Sequence, residues 1–164
     1  MDTGHFYFLK DEYFIDFPDE KLMKNKESIN GVAHNRPCFF SFFDDKTQIY
    51  WMIPCSSQVE KFKTLYQNKI IRYGKCNTIV FGEILGHEKV FLIQNMCPIT
   101  PDYVMNIYID KNDNIPVKID GVFEKKLIKK AKDVLTLHKR GIKLIFPDVL
   151  KIEKSLIDKL KISI

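Results

Sequence analysis

Ile49-Tyr-Trp-Met-Ile-Pro-Cys-Ser-Ser-Gln-Val-Glu-Lys-Phe-Lys63 is the stretch on which the fold turns. Ile49 to Ile53 is a run of apolar, aromatic and β-branched residues that stops at Pro54, and it reads as a strand. Ser56 and Ser57 follow. Val59, Phe62, Leu65, Tyr66 and Ile70 then recur at spacings of three and four, the period of a helix with one buried face. Ser57 with Glu60 three residues on has the spacing of a capping box, which predicts Ser57 as the N-cap. The element order is therefore strand, tight turn, helix, with two hydroxyls at the turn. The first N–H groups of a helix lack intrahelical partners and sit at the positive end of its dipole, so they attract phosphate. Two readings stand side by side: Ser57 only caps and Ser56 only turns the chain, or the pair holds an anion.

Working outward, Pro37-Cys-Phe-Phe-Ser-Phe-Phe43 is a dense strand and Asp44 to Thr47 a turn, so Gln48 to Ile53 returns as the second arm of a β-hairpin. In that hairpin the loop before the first strand and the turn after the second lie at one end. Arg36, and with it His34, is thereby expected near Ser56 and Ser57. The helix runs from Ser57 to about Tyr73 and stops at Gly74. Thr78 to Leu85 and Lys89 to Gln94 predict a second hairpin, turning at Gly86-His87-Glu88. Tyr103 to Ile109 predicts another strand, and Val117 to Ile119 a short last one. Met96 to Pro101, with two prolines, is expected to break the sheet.

The first segments read as a strand at His5–Leu9, a second strand or docking segment at Tyr13–Phe17, and a short helix opening at Pro18. Asn25 to Asn35 reads as a polar loop. After Asp120, a plausible N-cap, Phe123, Leu127, Ala131, Val134, Leu135 and His138 share one helical face, and Gly141 ends that helix. Pro147-Asp148 opens a last helix striped by Val149, Ile152, Leu156, Ile157 and Leu160. The sum is an α+β domain: a compact antiparallel sheet curled into a small barrel to hide its edges, one internal helix, and two basic C-terminal helices.

The whole chain of 164 residues fits one domain with a core of its own, here 45% hydrophobic and 13% aromatic. No apolar run approaches the roughly 20 residues of a membrane span, and Met-Asp-Thr-Gly-His has neither the basic nor the apolar region of a signal peptide. Cys38, Cys55, Cys76 and Cys97 form no C-x-x-C pair, and they read as reduced thiols of a cytoplasmic protein without a zinc site. Charge is uneven. From Lys118 to Lys161 thirteen Lys and Arg face six Asp and Glu, whereas the remainder is nearly balanced. A basic third suits a polyanion partner and also suits plain solubility.

The chemical candidates are few. Of the histidines, His5, His87 and His138 read as terminal, solvated and core residues, and none has metal-ligand spacing with another. Dinucleotide, Walker, nucleophile-elbow and zincin motifs are all missing. Arg36 and the Ser56–Ser57 pair, with Lys61 and Lys63 a turn further on, would suit a phosphodiester. With no acidic cluster, the nuclease chemistry this favours is metal-free: the RNA's own 2′-hydroxyl attacks while the protein orients the backbone and moves a proton. The plain alternative is a structural or phosphate-binding basic pocket.

At these residues the sequence resembles the endoribonuclease toxins of type III toxin–antitoxin systems, the ToxN/AbiQ-like family, and most closely its CptN type. Phe6-Tyr7 followed by Tyr13 is similar to the family's first strand and aromatic site residue. Asn35-Arg36-Pro37-Cys38-Phe39-Phe40 is similar to the segment supplying a basic active-site residue. Tyr50-Trp-Met-Ile-Pro-Cys-Ser56-Ser57 is similar to its aromatic strand, proline and hydroxyl pair. The lysine-rich C-terminal helix matches too. Two departures are visible. Gln58-Val59-Glu60 stand where the family often has Pro-Lys, so Lys61 is the first lysine after the pair. An ungapped alignment sets Pro37, not Arg36, at the family's lysine.

The resemblance implies a barrel akin to the MazF/Kid toxins and metal-independent, cofactor-free cleavage of single-stranded RNA to a 2′,3′-cyclic phosphate. It also implies inhibition by a repeat-encoded RNA pseudoknot that the toxin itself processes, in a closed toxin–RNA assembly. The catalytic set it suggests is Ser56, Ser57, Arg36, Tyr13 and Lys61. His34 joins that set on topology alone. Lys63, Lys125, Lys126, Lys129, Lys130, Lys139 and Arg140 are the expected RNA-binding residues. A ribonuclease held by a protein antitoxin and a non-catalytic RNA-binding module are the alternatives.

Overall fold

The computed structural model describes all residues, 1–164. In chain order its elements are β1 (Phe6–Leu9), α1 (Asp11–Asp16), β2 (Lys26–Ile29), β3 (Val32–Asn35), β4 (Cys38–Asp44), β5 (Ile49–Ser56), α2 (Val59–Tyr73), β6 (Ile79–Ile84), β7 (His87–Leu92), β8 (Cys97–Ile99), β9 (Val104–Ile107), α3 (Gly121–Lys139) and α4 (Val149–Ile162). The fold is α+β, and every strand pairing is antiparallel.

β5 is the centre. Along one edge it pairs with β4, from Asp44↔Ile49 to Cys38↔Pro54. Its other edge is shared: Tyr50, Trp51 and Met52 pair with β8, while Cys55 and Ser56 pair with β7. The sequence reading ended this strand at Pro54, but the chain stays extended to Ser56. Pro54 falls between the two ladders, so its missing N–H costs no sheet bond there. Ser41 lies at a register shift in β4, and its hydroxyl donates to the Trp51 carbonyl at 2.7 Å.

The main sheet runs β6-β7-β5-β4-β1-β9, with β8 attached to β5. No ladder joins β9 to β6, so the expected barrel does not close by hydrogen bonding. Its core is aromatic: the Phe6, Phe39 and Phe91 rings meet at 5.4, 6.1 and 6.0 Å between centroids. Leu127, Ala131, Val134 and Leu135 of α3 and Val149, Ile152 and Leu156 of α4 join this core. α2 covers a smaller one, with Phe62 against Cys76, Ile79, Val90 and Leu92. Both basic helices are capped as their sequences indicate: the Asp120 carboxylate accepts from Val122 and Phe123 N–H, and that of Asp148 from Lys151 N–H. No helix is long and apolar enough to cross a membrane. All four cysteines are free and buried, and burial pushes the Cys97 thiol up to about 12.

Several local expectations are corrected. Asp11–Asp16 is a helix that buries Tyr13, not a strand. Pro18 opens no helix. The Asp19 carboxylate there accepts from Lys21 N–H and from Asp148 N–H, which holds a turn against the start of α4. The polar loop 25–35 is instead the β2–β3 hairpin, turning at Asn30 and Gly31, both at positive φ. This is the turn that Asn-Gly favours. The second hairpin turns at Leu85-Gly86, also both at positive φ, one residue earlier than expected. Cys97–Ile99 joins the sheet despite Pro98. Residues 117–119 form no strand; a single bridge pairs Ile109 with Pro116.

This core makes a direct prediction. Phe39, fully buried among two other rings, should cost about 3–5 kcal/mol on replacement by alanine. Ile15→Ala, at a position 73% exposed, should stay within about 0.5 kcal/mol of wild type. Urea unfolding measures both.

Candidate functional site

The site lies where β5 ends and α2 begins. Ser56 is the last residue of β5, and its hydroxyl accepts from Gln58 N–H at 3.2 Å. α2 starts at Val59 with Gln58 as its cap residue, and Ser57 makes no side-chain capping bond. The predicted capping box is therefore absent. The Ser57 hydroxyl, half-buried, is not used by the helix, and the Ser57 N–H points elsewhere.

That N–H donates at 3.3 Å to the carboxylate of Glu27, on β2. The same carboxylate oxygen accepts from the Ser56 hydroxyl at 3.4 Å and from the Arg36 guanidinium at 3.2 Å. Arg36 is fixed by two further bonds, from Nε to the Lys24 carbonyl at 2.8 Å and from its terminal nitrogen to the Cys55 carbonyl at 2.8 Å. Glu27 and Arg36 are both buried, their side chains 6% and 7% exposed. A buried pair of this kind survives because each charge has the other and the remaining valences are hydrogen-bonded. Hairpin topology indeed brings Arg36 to the serine pair.

Glu27 was missed. The readable signal was Ile29-Asn30-Gly31-Val32, a two-residue hairpin turn between β-branched neighbours. That turn sets Glu27 directly opposite His34 in the register, with both side chains on one face of the arm.

Two clefts meet at Ser56. One, of about 550 Å³, is lined by Glu27, His34, Ser56, His87, Lys89 and Tyr108 among others. The other, of about 440 Å³, is lined by Lys21, Lys24, Arg36, Ser56, Lys61 and Phe146 among others. His34 is exposed in the first and Lys61 in the second. Phe146 presents a half-open aromatic ring at the rim, with the Lys69 amine 5.3 Å from its centroid. Burial holds that amine below its usual range.

The other expected residues lie apart. Tyr13 is fully buried, its hydroxyl donating to the Pro98 carbonyl at 2.8 Å. Burial raises its pKa well above the tyrosine range. It supports the underside of β8 and cannot touch a substrate in this conformation. Lys63 faces Glu60 and Glu88 and lines neither cleft. On α3 and its C-cap residue Arg140, Lys129 pairs with Asp133 and Lys139 with Glu153, whereas Lys125, Lys126, Lys130 and Arg140 have no ion pair.

The buried pair can be tested as a stability element. Arg36→Met should cost about 3–5 kcal/mol, because it strands the Glu27 charge. Adding Glu27→Gln to that variant should recover part of the loss. A double-mutant cycle in urea reads the coupling.

Comparison with known proteins bears on the fold. Neither family models nor curated proteins give a match to the chain. Among solved structures, it is similar to AbiQ, described as a lactococcal anti-phage endoribonuclease belonging to the type-III toxin–antitoxin system. The likeness covers 98% of this chain and 99% of that one, with a TM-score of 0.68 at 17% sequence identity. The two chains thus share an architecture from end to end.

Proposed function

We propose that this chain is an endoribonuclease toxin of the ToxN/AbiQ kind, acting on single-stranded RNA without a metal and restrained by a small antitoxin RNA. One observation carries the reading. A hydroxyl, a backbone N–H and a guanidinium converge on one point at the junction of two clefts, in a fold shared end to end with an RNA-cutting toxin. Donors aimed at one point are what a phosphodiester requires as its charge grows in the transition state.

In this mechanism the RNA crosses Ser56 from one cleft to the other. Arg36, the Ser56 and Ser57 hydroxyls and the Ser57 N–H hold the non-bridging oxygens of the scissile phosphate. The adjacent 2′-oxygen attacks phosphorus, the bond to the 5′-oxygen breaks, and a 2′,3′-cyclic phosphate and a 5′-hydroxyl result. His34 takes the proton of the 2′-hydroxyl. Lys61, reaching over from the second cleft, gives a proton to the departing 5′-oxygen, which leaves as the 5′-hydroxyl. Bases of the strand stack on exposed rings such as Phe146, as single-stranded RNA does on aromatic platforms. The antitoxin RNA, a folded pseudoknot in this reading, lies against the unpaired cations of α3, and several toxins and RNAs close into one assembly.

The experiment is cleavage of single-stranded RNA in EDTA by purified wild type, Ser56→Ala and Ser57→Ala. Loss of one such donor should lower the rate by about 100-fold or more. Wild-type rates in both variants would overturn the site. Intact RNA with wild type would leave the non-catalytic binding module standing instead. On α3, Lys126→Ala and Lys130→Ala should each flatten the logarithmic salt dependence of RNA binding by about 0.7–0.9.

A further inference from the structure

Three of the four donors assigned to the scissile phosphate are not vacant in the free protein. A single oxygen of Glu27 accepts from all three: Arg36 at 3.2 Å, the Ser57 N–H at 3.3 Å and the Ser56 hydroxyl at 3.4 Å. We infer that Glu27 is a built-in substitute for the phosphate, a carboxylate plug that fills the anion site until RNA displaces it. The inference rests on the proposed ribonuclease reading and adds its regulation.

Three observations support a plug rather than a permanent scaffold. First, the three donors come from the core, on β5, the turn before α2 and the entry to β4. The acceptor comes from a separate two-stranded arm that shares no ladder with the main sheet. Second, Glu27 is the one buried residue of that arm. Lys26, Ser28 and all of β3 are exposed, and Ile29 is half-buried, so little apolar packing holds the arm down. A two-stranded hairpin is marginal by itself. Third, Glu27 is among the residues that line the first cleft, with His34 across the arm, so the space into which its carboxylate would withdraw adjoins it.

The electrostatics then impose an exchange. Two anions cannot share three donors, because like charges in one poorly solvated site repel strongly. Any phosphate that reaches Arg36 and the Ser57 N–H must first move Glu27 out, and its apparent affinity falls by the fraction of time the site is open. A lone phosphate has only those donors to gain. A polynucleotide also gains the lysines and rings of both clefts. The plug therefore makes the free protein indifferent to small anions while a strand spanning both clefts can still open it.

The test is the affinity for inorganic phosphate, by calorimetry, of wild type, Glu27→Gln and Glu27→Gln/Arg36→Met. Glu27→Gln should bind phosphate about tenfold or more tightly than wild type, and the added Arg36→Met should abolish that gain. Equal affinities for Glu27→Gln and wild type would overturn the plug. Glu27→Asp keeps the charge but withdraws it by one methylene, so it should bind phosphate with intermediate affinity. If Glu27→Gln does not fold, Asp and wild type binding alike would overturn the inference. RNA cleavage by the same wild-type preparation separates the two claims. A phosphate gain without cleavage keeps the plug and sinks the nuclease, and cleavage without a phosphate gain does the reverse.

Discussion

A guanidinium buried in a protein must have a counter-charge, and here that demand organises the end of β5. Arg36 is locked by the Lys24 and Cys55 carbonyls in a nearly dry place. The carboxylate answering it comes from an arm the main sheet does not contain. The pair couples the arm, the entry of β4 and the serine turn into one unit. Removing either charge leaves the other seeking an anion or a cation. In the proposed mechanism the same demand that stabilises the joint draws the phosphate of RNA to it.

The sheet makes that joint possible. β5 is clamped along one edge by β4 and along the other by β8 and then β7, so its last residues leave a rigid core. Ser56 and Ser57 sit at the point where the extended chain turns into α2, and the Ser57 N–H, outside the helix's own ladder, faces the Glu27 carboxylate. Groups held on such supports lose little freedom on binding a substrate, which is the condition for electrostatic catalysis.

Much of this was readable in the residues. The hairpin of dense apolar runs from Pro37 to Ile53, the three-and-four spacings after Val59 and in both C-terminal helices, and the Asp120 and Asp148 caps each follow from local physics that the tertiary structure leaves intact. The failures share a cause. Tyr13-Phe-Ile-Asp-Phe17 looks like a strand by composition, but its position is set by burying Tyr13 under β8, a partner 85 residues away. Pro54 and Pro98 looked like breakers. They are tolerated because Pro54 falls between two ladders and Pro98 lies in a short flanking strand. Ser57 looked like a cap because its spacing to Glu60 is right. It is not one, because α2 starts a residue later with Gln58 at the cap position, and the Ser57 N–H that Glu60 would take goes to Glu27, a residue 30 positions earlier. Glu27 itself was hidden by a misread loop, although Asn30-Gly31 was in plain view.

In the proposed mechanism RNA replaces Glu27 at Arg36, Ser56 and Ser57. Amide and guanidinium resonances report this directly. With a single-stranded RNA made uncleavable by 2′-O-methyl groups, ¹⁵N–¹H spectra should show the Ser57 amide and the Arg36 Nε–H shifting together. The amides of residues 26–35 should respond at the same titration midpoint. Shifts confined to α3 and α4, with Ser57 and Arg36 unmoved at saturation, would contradict it.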